Sequence, residues 1–208
     1  MSRGQASSDR GRAYFAARAG GYDRGSSRGL WSRLRALESP VVMALAGVQR
    51  GERVLDAGCG AGHYTRLLME AGAEVDALDA LPEMLAEVRA RLGVRTIEGD
   101  IAAVALAPIY DKIVCAGVLE FVPDRAAALV NLARGLRTDG AREITLLILA
   151  RCWPGFGYWL ARRVNGIRMP MYSRGGLDAL AASAGLRVVE ARRAGYNWVA
   201  RLTPTCPS

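Results

Sequence analysis

The segment Val54-Leu-Asp-Ala-Gly-Cys-Gly-Ala-Gly-His-Tyr-Thr65 decides how this chain is expected to fold. It begins as a short apolar run, which predicts a buried strand, and it ends on residues that open a helical stretch. Gly58, Gly60 and Gly62 lie between the two. Glycine allows a tight turn and a close approach of a ligand to the backbone, and a new helix presents unpaired N–H groups at its start. The segment therefore predicts a strand, a ligand-binding loop and a helix in succession.

The spacing of these glycines limits which kinds of ligand the loop is expected to bind. A dinucleotide-binding loop of the G-x-G-x-x-G type needs its third glycine at position 63, where this chain has His63. A pyrophosphate site has no need of Asp56 ahead of the glycines, whereas a carboxylate there can hold an ammonium group. The segment therefore favours a ligand with an ammonium group over a nicotinamide cofactor.

Outward from this segment, short β-branched runs alternate with helical stretches. Such alternation is typical of a parallel, doubly wound sheet connected by right-handed helical crossovers. The expected strands are residues 53–56, 74–79, 94–98, 111–115 and 143–149, and the expected helices are 62–71, 82–92, 124–136 and 173–184.

The carboxyl end of the chain departs from this alternation. Two strand-like runs, residues 186–193 and 196–202, are joined only by Ala194-Gly195. Parallel neighbours need a crossover of about a dozen residues or more, whereas two residues close a hairpin. The sequence therefore predicts an α/β fold with a Rossmann-like, doubly wound, seven-stranded sheet, mostly parallel and ending in an antiparallel hairpin.

The first fifty residues are expected to form a separate unit within one compact domain. Residues 1–10 are rich in Gly, Ser and Arg and predict a frayed tail. Apolar residues recur at helical spacing from Leu30 to Leu37, and Ser39-Pro40 predicts the start of a second helix. We expect residues 1–50 to form a tail and a helical lid, and residues 51–208 to form the main domain.

The net charge of +8 over 208 residues raises the question of nucleic-acid binding. Lys112 is the only lysine among the 28 basic residues, and the chain is also rich in Ala and Gly, so much of the excess reflects composition. Local excess is confined to residues 1–35 and 151–174. We interpret the charge as solvated faces, with an anionic membrane surface or an acidic substrate as the alternative, and nucleic acid is disfavoured.

The cysteines and the apolar stretches give further expectations. Cys59, Cys115, Cys152 and Cys206 form no C-x-x-C pair, so neither a zinc site nor a disulfide framework is expected. The amino terminus lacks an apolar signal segment, and no uncharged stretch approaches the roughly 18 residues of a membrane span. A cytoplasmic protein without a metal, as a monomer or homodimer, is the expectation.

Four motifs, taken in chain order, resemble those of class I S-adenosylmethionine-dependent methyltransferases of the small-molecule type, near the ubiquinone/menaquinone C-methyltransferases. They are the glycine segment, Asp79-Ala-Leu-Pro-Glu-Met84, Glu98-Gly-Asp100-Ile101, and the stretch from Tyr110 to Asp124. The resemblance implies S-adenosyl-L-methionine as the cofactor and S-adenosyl-L-homocysteine as the product. The implied function is methyl transfer to an oxygen, nitrogen or carbon of a small or lipid-like molecule.

The resemblance also implies roles for single residues. Asp56 would hold the methionine ammonium group, Asp79 would bind the ribose, and Asp100 would accept from the adenine amino group. Asp79 as the N-cap of the helix that starts at Pro82, and Asp100 as a turn residue, are the alternatives. The implied cofactor-binding set is Tyr14, Tyr22, Asp56, Gly58, Cys59, Gly60, Asp79, Ala80, Leu81, Met84, Gly99, Asp100, Ile101, Ala116 and Gly117.

Catalytic residues are harder to assign, because positioning supplies much of the acceleration in methyl transfer and a base is optional. The candidates are Tyr22, Glu120 and Tyr172, with Tyr14 as a further choice. His63, the only histidine, is expected beside the cofactor rather than as the base. Phe121 stands where many members of the family carry a histidine, which is a departure from their pattern.

Two alternative functions and one surface stay open at this point. The alternatives are an RNA-modifying methyltransferase, which only the charge supports, and a cofactor-binding protein without catalysis. Residues 152–172 gather large aromatic rings and arginines after the fifth strand. They predict an acceptor cap, a peripheral membrane contact with membrane association, or core packing.

Overall fold

The structure is a computed structural model that describes residues 29–139, 142–149 and 170–205. Its strands are β1 (Arg53–Ala57), β2 (Glu74–Asp79), β3 (Arg95–Glu98), β4 (Lys112–Ala116), β5 (Glu143–Leu149), β6 (Leu186–Ala194) and β7 (Asn197–Pro204). Its helices are α1 (Gly29–Ala46), α2 (His63–Glu70), α3 (Pro82–Leu92), α4 (Arg125–Gly135) and α5 (Arg174–Ser183), with a 3-10 turn at Leu119–Phe121. From β1 onward, every predicted strand and helix is confirmed to within two residues at each end.

The strands form one sheet in the order β3-β2-β1-β4-β5-β7-β6, and β1 to β5 run parallel. β1 lies between β2 and β4, with Val54 opposite both Val75 and Lys112. Its side chains are buried on both faces: Val54 packs in the cluster that α1 and α2 contribute to, and Leu55 packs with residues of α4 and α5. Helices on both faces explain why the strand is a continuous apolar run.

The predicted carboxyl-terminal hairpin is confirmed. β6 and β7 are antiparallel, with Ala194 opposite Asn197, and Gly195 in the connecting turn has a φ of +57°. β7 lies between β5 and β6 and pairs antiparallel with β5, so the chain passes beyond the edge of the parallel sheet before it returns. This insertion of β7 was not evident from the sequence, because the turn fixes only how β6 and β7 pair with each other.

The prediction of two helices before β1 is wrong for the described part of that region. α1 runs without a break from Gly29 to Ala46 and contains Pro40. A proline inside a helix removes one hydrogen bond and costs about 3 kcal/mol. The helix continues because Val42, Leu45 and Ala46, beyond the proline, are buried against β1, β4 and β7. Ser39 does not cap a second helix, since its Oγ lies 2.8 Å from Nε2 of His63 in α2.

The amino edge of the sheet is tied to α1 by the only lysine. Nζ of Lys112 donates to the carbonyl oxygens of Ala46 and Gly47 at 3.0 and 2.7 Å, at the end of the helix where carbonyls lack helical partners. Glu52 and Glu143 lie 3.5 and 3.8 Å from the same ammonium group. Lys112 therefore neutralises two carboxylates while it holds α1 on the sheet.

In the described ranges, no helix is both long enough and apolar enough to cross a membrane. Tyr14, Tyr22, Cys152 and Cys206, and all but the last residues of the predicted cap 152–172, lie outside the described residues. The division at residue 50 into a lid and a main domain stays a prediction.

We expect Lys112→Met to destabilise the protein by about 2–4 kcal/mol, because two carbonyl groups lose their donor and the carboxylates of Glu52 and Glu143 lose a nearby cation. Chemical unfolding at neutral pH measures the change. Arg187→Met, at an exposed position of β6, is the control and should change the unfolding free energy by less than about 0.5 kcal/mol. Equal losses in the two variants would show that Lys112 has no special structural role.

Candidate cofactor-binding and active site

The carboxyl ends of β1, β2, β3 and β4 meet at one edge of the sheet. The strand order reverses between β1 and β4, which is where open α/β sheets bind their ligands. The register places Asp79 at the end of β2 opposite Glu98 at the end of β3. The predicted cofactor residues within the described ranges therefore lie along one edge, although they are far apart in sequence.

The glycine loop after β1 is shaped by two different requirements. Gly58 has a φ of +78°, and a Cβ atom there would lie 2.6 Å from Cγ2 of Val118, so no side chain fits. Gly60 has a φ of +51°, but a Cβ atom there would meet nothing within 4 Å. At Gly58 the loop therefore packs tightly against Val118. At Gly60 it borders open space, where a ligand can approach the backbone closely.

Asp79 joins the end of β2 to this loop. Its Oδ2 accepts the backbone N–H of Gly60 at 2.9 Å, and its Oδ1 accepts the backbone N–H of Leu81 at 3.0 Å. The N-cap position of α3 is Leu81, so the alternative of Asp79 as the N-cap of that helix is wrong. These two hydrogen bonds fix the Asp79 carboxylate at the carboxyl end of β2, beside the glycine loop.

Asp56 lies beneath the loop and is 1% exposed. Its Oδ2 accepts a hydrogen bond from Oγ1 of Thr65 at 2.6 Å. Burial raises the pKa of Asp56 from 3.8 to about 7, the Thr65 hydrogen bond opposes this shift, and the charge of Asp79 adds to it. A cation placed beside Asp56 would stabilise the carboxylate, which fits the ammonium group of the expected cofactor.

Thr65 is a residue of the candidate site that the sequence analysis did not single out. It is fully buried in the first turn of α2, where its side chain faces back toward β1. The sequence contains a weak signal for it, since a hydroxyl residue in the first turn after the glycines is placed to reach the aspartate before them.

The side of the site where adenine is expected is partly buried. Oδ1 of Asp100 accepts the backbone N–H of Ala102 at 2.9 Å, so its alternative role as a turn residue is confirmed. Ile101 is 4% exposed in the main core, and Met84 is 1% exposed against Ala61, with Leu81 packed partly buried on the same pair. Leu81 is therefore better exposed than Ile101 or Met84 for contact with a flat ring.

The residues after β4 form the other end of the site. Gly117 turns with a φ of +69° into the 3-10 turn that carries Glu120, which is 5% exposed. Tyr172 is half-buried, and its pKa is raised by burial, lowered by the charge of Arg125 and raised by Glu120. The structure thus brings two of the three predicted catalytic residues, Glu120 and Tyr172, within electrostatic reach of each other.

Two neighbours of this pair were not singled out from the sequence. Nε1 of Trp198 in β7 donates to the carbonyl oxygen of Tyr172 at 3.0 Å, and Nε of Arg125 donates to the carbonyl oxygen of Leu119 at 3.1 Å. Trp198 fixes the backbone at Tyr172, and Arg125 supplies a positive charge beside its ring. Neither contact has a sequence signature, because each joins segments that only the fold brings together.

The two described cysteines and the histidine differ in burial and in their contacts. Cys59 and Cys115 are free thiols and buried, and burial raises the pKa of both, so they stay protonated. His63 contacts α1 through Ser39 and packs edge-to-face on Tyr64, with the ring centroids 4.9 Å apart. Within the described residues, no cluster of three or more His, Cys, Asp or Glu side chains could hold a metal ion.

Comparison with known proteins agrees with this geometry. Residues 54–140, from β1 past α4, match the family described as Methyltransferase domain. Over these residues the chain is similar to a methyltransferase domain. The matched residues include the glycine loop, Asp56, Asp79 and Glu120. The placement near the ubiquinone/menaquinone group stays a prediction.

Two curated relatives are similar over the same region. Trans-aconitate 2-methyltransferase of Mycobacterium tuberculosis is 37% identical over 92 residues, which cover 43% of this chain and 35% of that protein. Malonyl-[acyl-carrier protein] O-methyltransferase of Pectobacterium atrosepticum is 40% identical over 94 residues, which cover 45% of this chain and 35% of that protein. The chain spans about a third of the length of these relatives.

A solved structure extends the likeness of the fold to nearly the whole chain. The 1,6-didemethyltoxoflavin-N1-methyltransferase of Burkholderia thailandensis, crystallised with S-adenosylhomocysteine, superposes with a TM-score of 0.73 at 24% identity. The match covers 99% of this chain and 92% of that one. The overall fold of the described residues is therefore that of a Rossmann-like methyltransferase.

The buried Asp56 makes stability depend on pH. Its pKa is about 3.8 in the unfolded chain and about 7 in the folded, unliganded protein, so stability falls as the pH rises through this window. Asp56→Asn lacks this dependence, and we expect it to gain stability relative to wild type from pH 4 to 8, by at most about 4 kcal/mol. Chemical unfolding across this pH range measures the gain.

The matched control for this experiment is Asp139→Asn, because hydrogen bonding to Arg137 lowers the pKa of the exposed Asp139. A lowered pKa stabilises the fold above the pKa of the unfolded chain, and this contribution is lost only at lower pH. The difference in stability between Asp139→Asn and wild type should therefore stay constant as the pH rises through the window in which Asp56→Asn gains. Parallel stability curves for wild type and Asp56→Asn would contradict the raised pKa of Asp56.

Proposed function

We propose that this protein transfers a methyl group from S-adenosylmethionine to a carboxylate of a small molecule. The observation that carries the proposal is Asp56, which is buried beneath an open glycine loop with a pKa of about 7. A buried carboxylate without a cation destabilises the protein, so its presence here is explained by a ligand that brings one. When bound, the cofactor supplies a methyl group on a positively charged sulfur, which is already activated for displacement.

The residues that hold the cofactor follow from the contacts. Asp56 binds the ammonium group, and Thr65 fixes the carboxylate that does so. Asp79, which the Gly60 and Leu81 backbone N–H groups hold at the end of β2, binds the ribose hydroxyls. Leu81 covers one face of the adenine. Because Asp79 also orients the Gly60 backbone, ribose binding and the shape of the glycine loop are coupled.

The acceptor end of the site favours a nucleophile that needs no base. Phe121 stands where a histidine is common in the family, and the raised pKa of Tyr172 keeps its phenol protonated at neutral pH. A carboxylate acceptor is already ionised, so it can attack without losing a proton. Nε of Arg125 donates to the carbonyl oxygen of Leu119, and the Nη donors of the same guanidinium can orient such an acceptor. Tyr172 can donate to it as well.

The relatives support the same chemical class. Trans-aconitate and the malonyl group, in the names of the two curated relatives, are carboxylic acids. A lipid-like acceptor, a peripheral membrane contact, a cytoplasmic location and a monomeric or homodimeric state remain predictions. The membrane contact rests largely on residues 152–172, of which residues 170–172 belong to the described part.

The cofactor assignment is tested by Asp79→Ala. We expect the affinity for S-adenosylhomocysteine to fall about ten- to a hundredfold, because the variant loses charge-assisted hydrogen bonds to the ribose. Isothermal calorimetry measures it, with Asp178→Ala as the control, since Asp178 pairs only with Arg174 on the surface of α5. An unchanged affinity in a folded Asp79→Ala protein would refute the assignment.

The acceptor assignment is tested by turnover on a panel of small mono-, di- and tricarboxylic acids against matched phenols and amines. On the best acid, Arg125→Gln should raise KM at least tenfold and leave the affinity for S-adenosylhomocysteine within twofold. Arg134→Gln, at an exposed position of the same helix, should change neither. Methylation of phenols or amines alone would refute the carboxylate, and cofactor binding without turnover on any acceptor would refute catalysis.

A further inference from the structure

Asn131 is a polar residue on the buried face of α4. Its side chain is 9% exposed, and Leu129 and Leu132 on the same helix are fully buried. Nδ2 of Asn131 donates to the carbonyl oxygens of Ile101 and Val104 at 3.0 and 2.8 Å. An amide among buried apolar side chains is costly unless it is hydrogen-bonded, so these two bonds account for an asparagine at this position.

The segment that Asn131 contacts is a compact turn, residues 100–104, which follows β3. The carbonyl oxygen of Asp100 accepts the backbone N–H of Val104 at 2.8 Å and closes the turn. The carbonyl groups of Ile101 and Val104 belong to neither a helix nor a strand, so regular secondary structure does not provide their donors. The asparagine on α4 provides both, and it thereby fixes the conformation of the turn.

This turn begins at the edge of the sheet where the proposed function places the ribose. The backbone N–H of Gly99 donates to the carbonyl oxygen of Asp79 at 3.0 Å. A Cβ atom on Gly99 would lie 2.8 Å from Cβ of Val104, so the turn folds back closely on the glycine before it. The base is bonded to the ribose, and a turn that starts beside Asp79 is within reach of the base.

The helix that carries Asn131 is itself fixed at its start. Oδ1 of Asp124 caps α4 by accepting the backbone N–H of Ala127 at 2.9 Å. Nε of Arg125 donates to the carbonyl oxygen of Leu119 at 3.1 Å. Asn131 therefore projects from an element that capping and packing hold in place, as the support of a binding site requires.

We propose that Asn131 is a positioning residue for the recognition of adenine. It holds the turn at 100–104 in the conformation whose backbone donors and acceptors match the base, and it acts through the turn rather than on the cofactor. Without its amide, two carbonyl groups lose their donor and the turn adopts other conformations. The assignment rests on the proposed function, since it requires S-adenosylmethionine as the ligand, but it does not depend on the acceptor.

Calorimetry with two ligands tests the assignment: S-adenosylhomocysteine and its analogue in which hypoxanthine replaces adenine. The replacement turns the amino donor of the base into a carbonyl acceptor and the neighbouring ring acceptor into an N–H donor. Wild type should prefer S-adenosylhomocysteine by about tenfold or more, because a site that hydrogen-bonds one base is left with unpaired groups by the other. Asn131→Ala should lower this preference to about threefold or less, through a loss of affinity for S-adenosylhomocysteine.

Leu129→Ala is the matched control, because it removes a fully buried side chain from the same helix and destabilises the fold through a cavity. Positions 129 and 131 lie about 200° apart around the helix, so the control keeps the hydrogen bonds of Asn131 and should keep the preference of wild type. An unchanged preference in Asn131→Ala, an equal loss in Leu129→Ala, or a wild type without preference would overturn the assignment.

Amide hydrogen exchange gives a second measurement on the same three proteins. The backbone N–H of Val104 should exchange faster in Asn131→Ala than in wild type, whereas Leu129→Ala should not raise its exchange relative to the amides of β1. Equal exchange at Val104 in all three proteins would overturn the assignment. Absence of S-adenosylhomocysteine binding in wild type would overturn the proposed function together with this inference, whereas normal binding with an unchanged preference in Asn131→Ala overturns only the role of Asn131.

Discussion

The burial of Asp56 at the end of the central strand is the constraint on which the rest of the site depends. A carboxylate with Val54 and Leu55 behind it and a glycine loop above it has lost most of its water, and its pKa rises to about 7 for that reason. The fold tolerates this cost with hydrogen bonds from the side chain and the backbone of Thr65, which tie α2 to β1. The same arrangement leaves the charge of Asp56 only partly compensated, which fits the cation of the proposed function.

The two edges of the parallel sheet differ in how their buried charges are arranged. At the amino edge, Lys112 is matched by two carbonyl oxygens and two carboxylates, and it serves to hold α1 on the sheet. At the carboxyl edge, Asp56 and Asp79 lie close enough for each to raise the energy of the other's charge. Charges are thus paired where the protein needs stability, and like charges are brought together where it needs a ligand.

Much of this could be predicted from the sequence, because the signals are local. The apolar run before Asp56, the spaced glycines and the helix after them follow from periodicity and from backbone conformations that glycine adopts readily. The two-residue link at Gly195 determines the hairpin for the same reason. Asp79 could be assigned to the site because residues at the ends of parallel strands meet at one edge, whatever their distance in sequence.

Only the tertiary structure decided the features that depend on contacts between distant segments. Pro40 looks like the start of a helix in sequence, but the burial of Val42, Leu45 and Ala46 holds one helix together across it. No periodic sequence pattern indicates that Thr65 lies beneath Asp56, that Arg125 lies beside Tyr172, or that β7 lies between β5 and β6. The sequence alone determined the elements and the strand ends; packing, which no local pattern encodes, determined which side chains face one another.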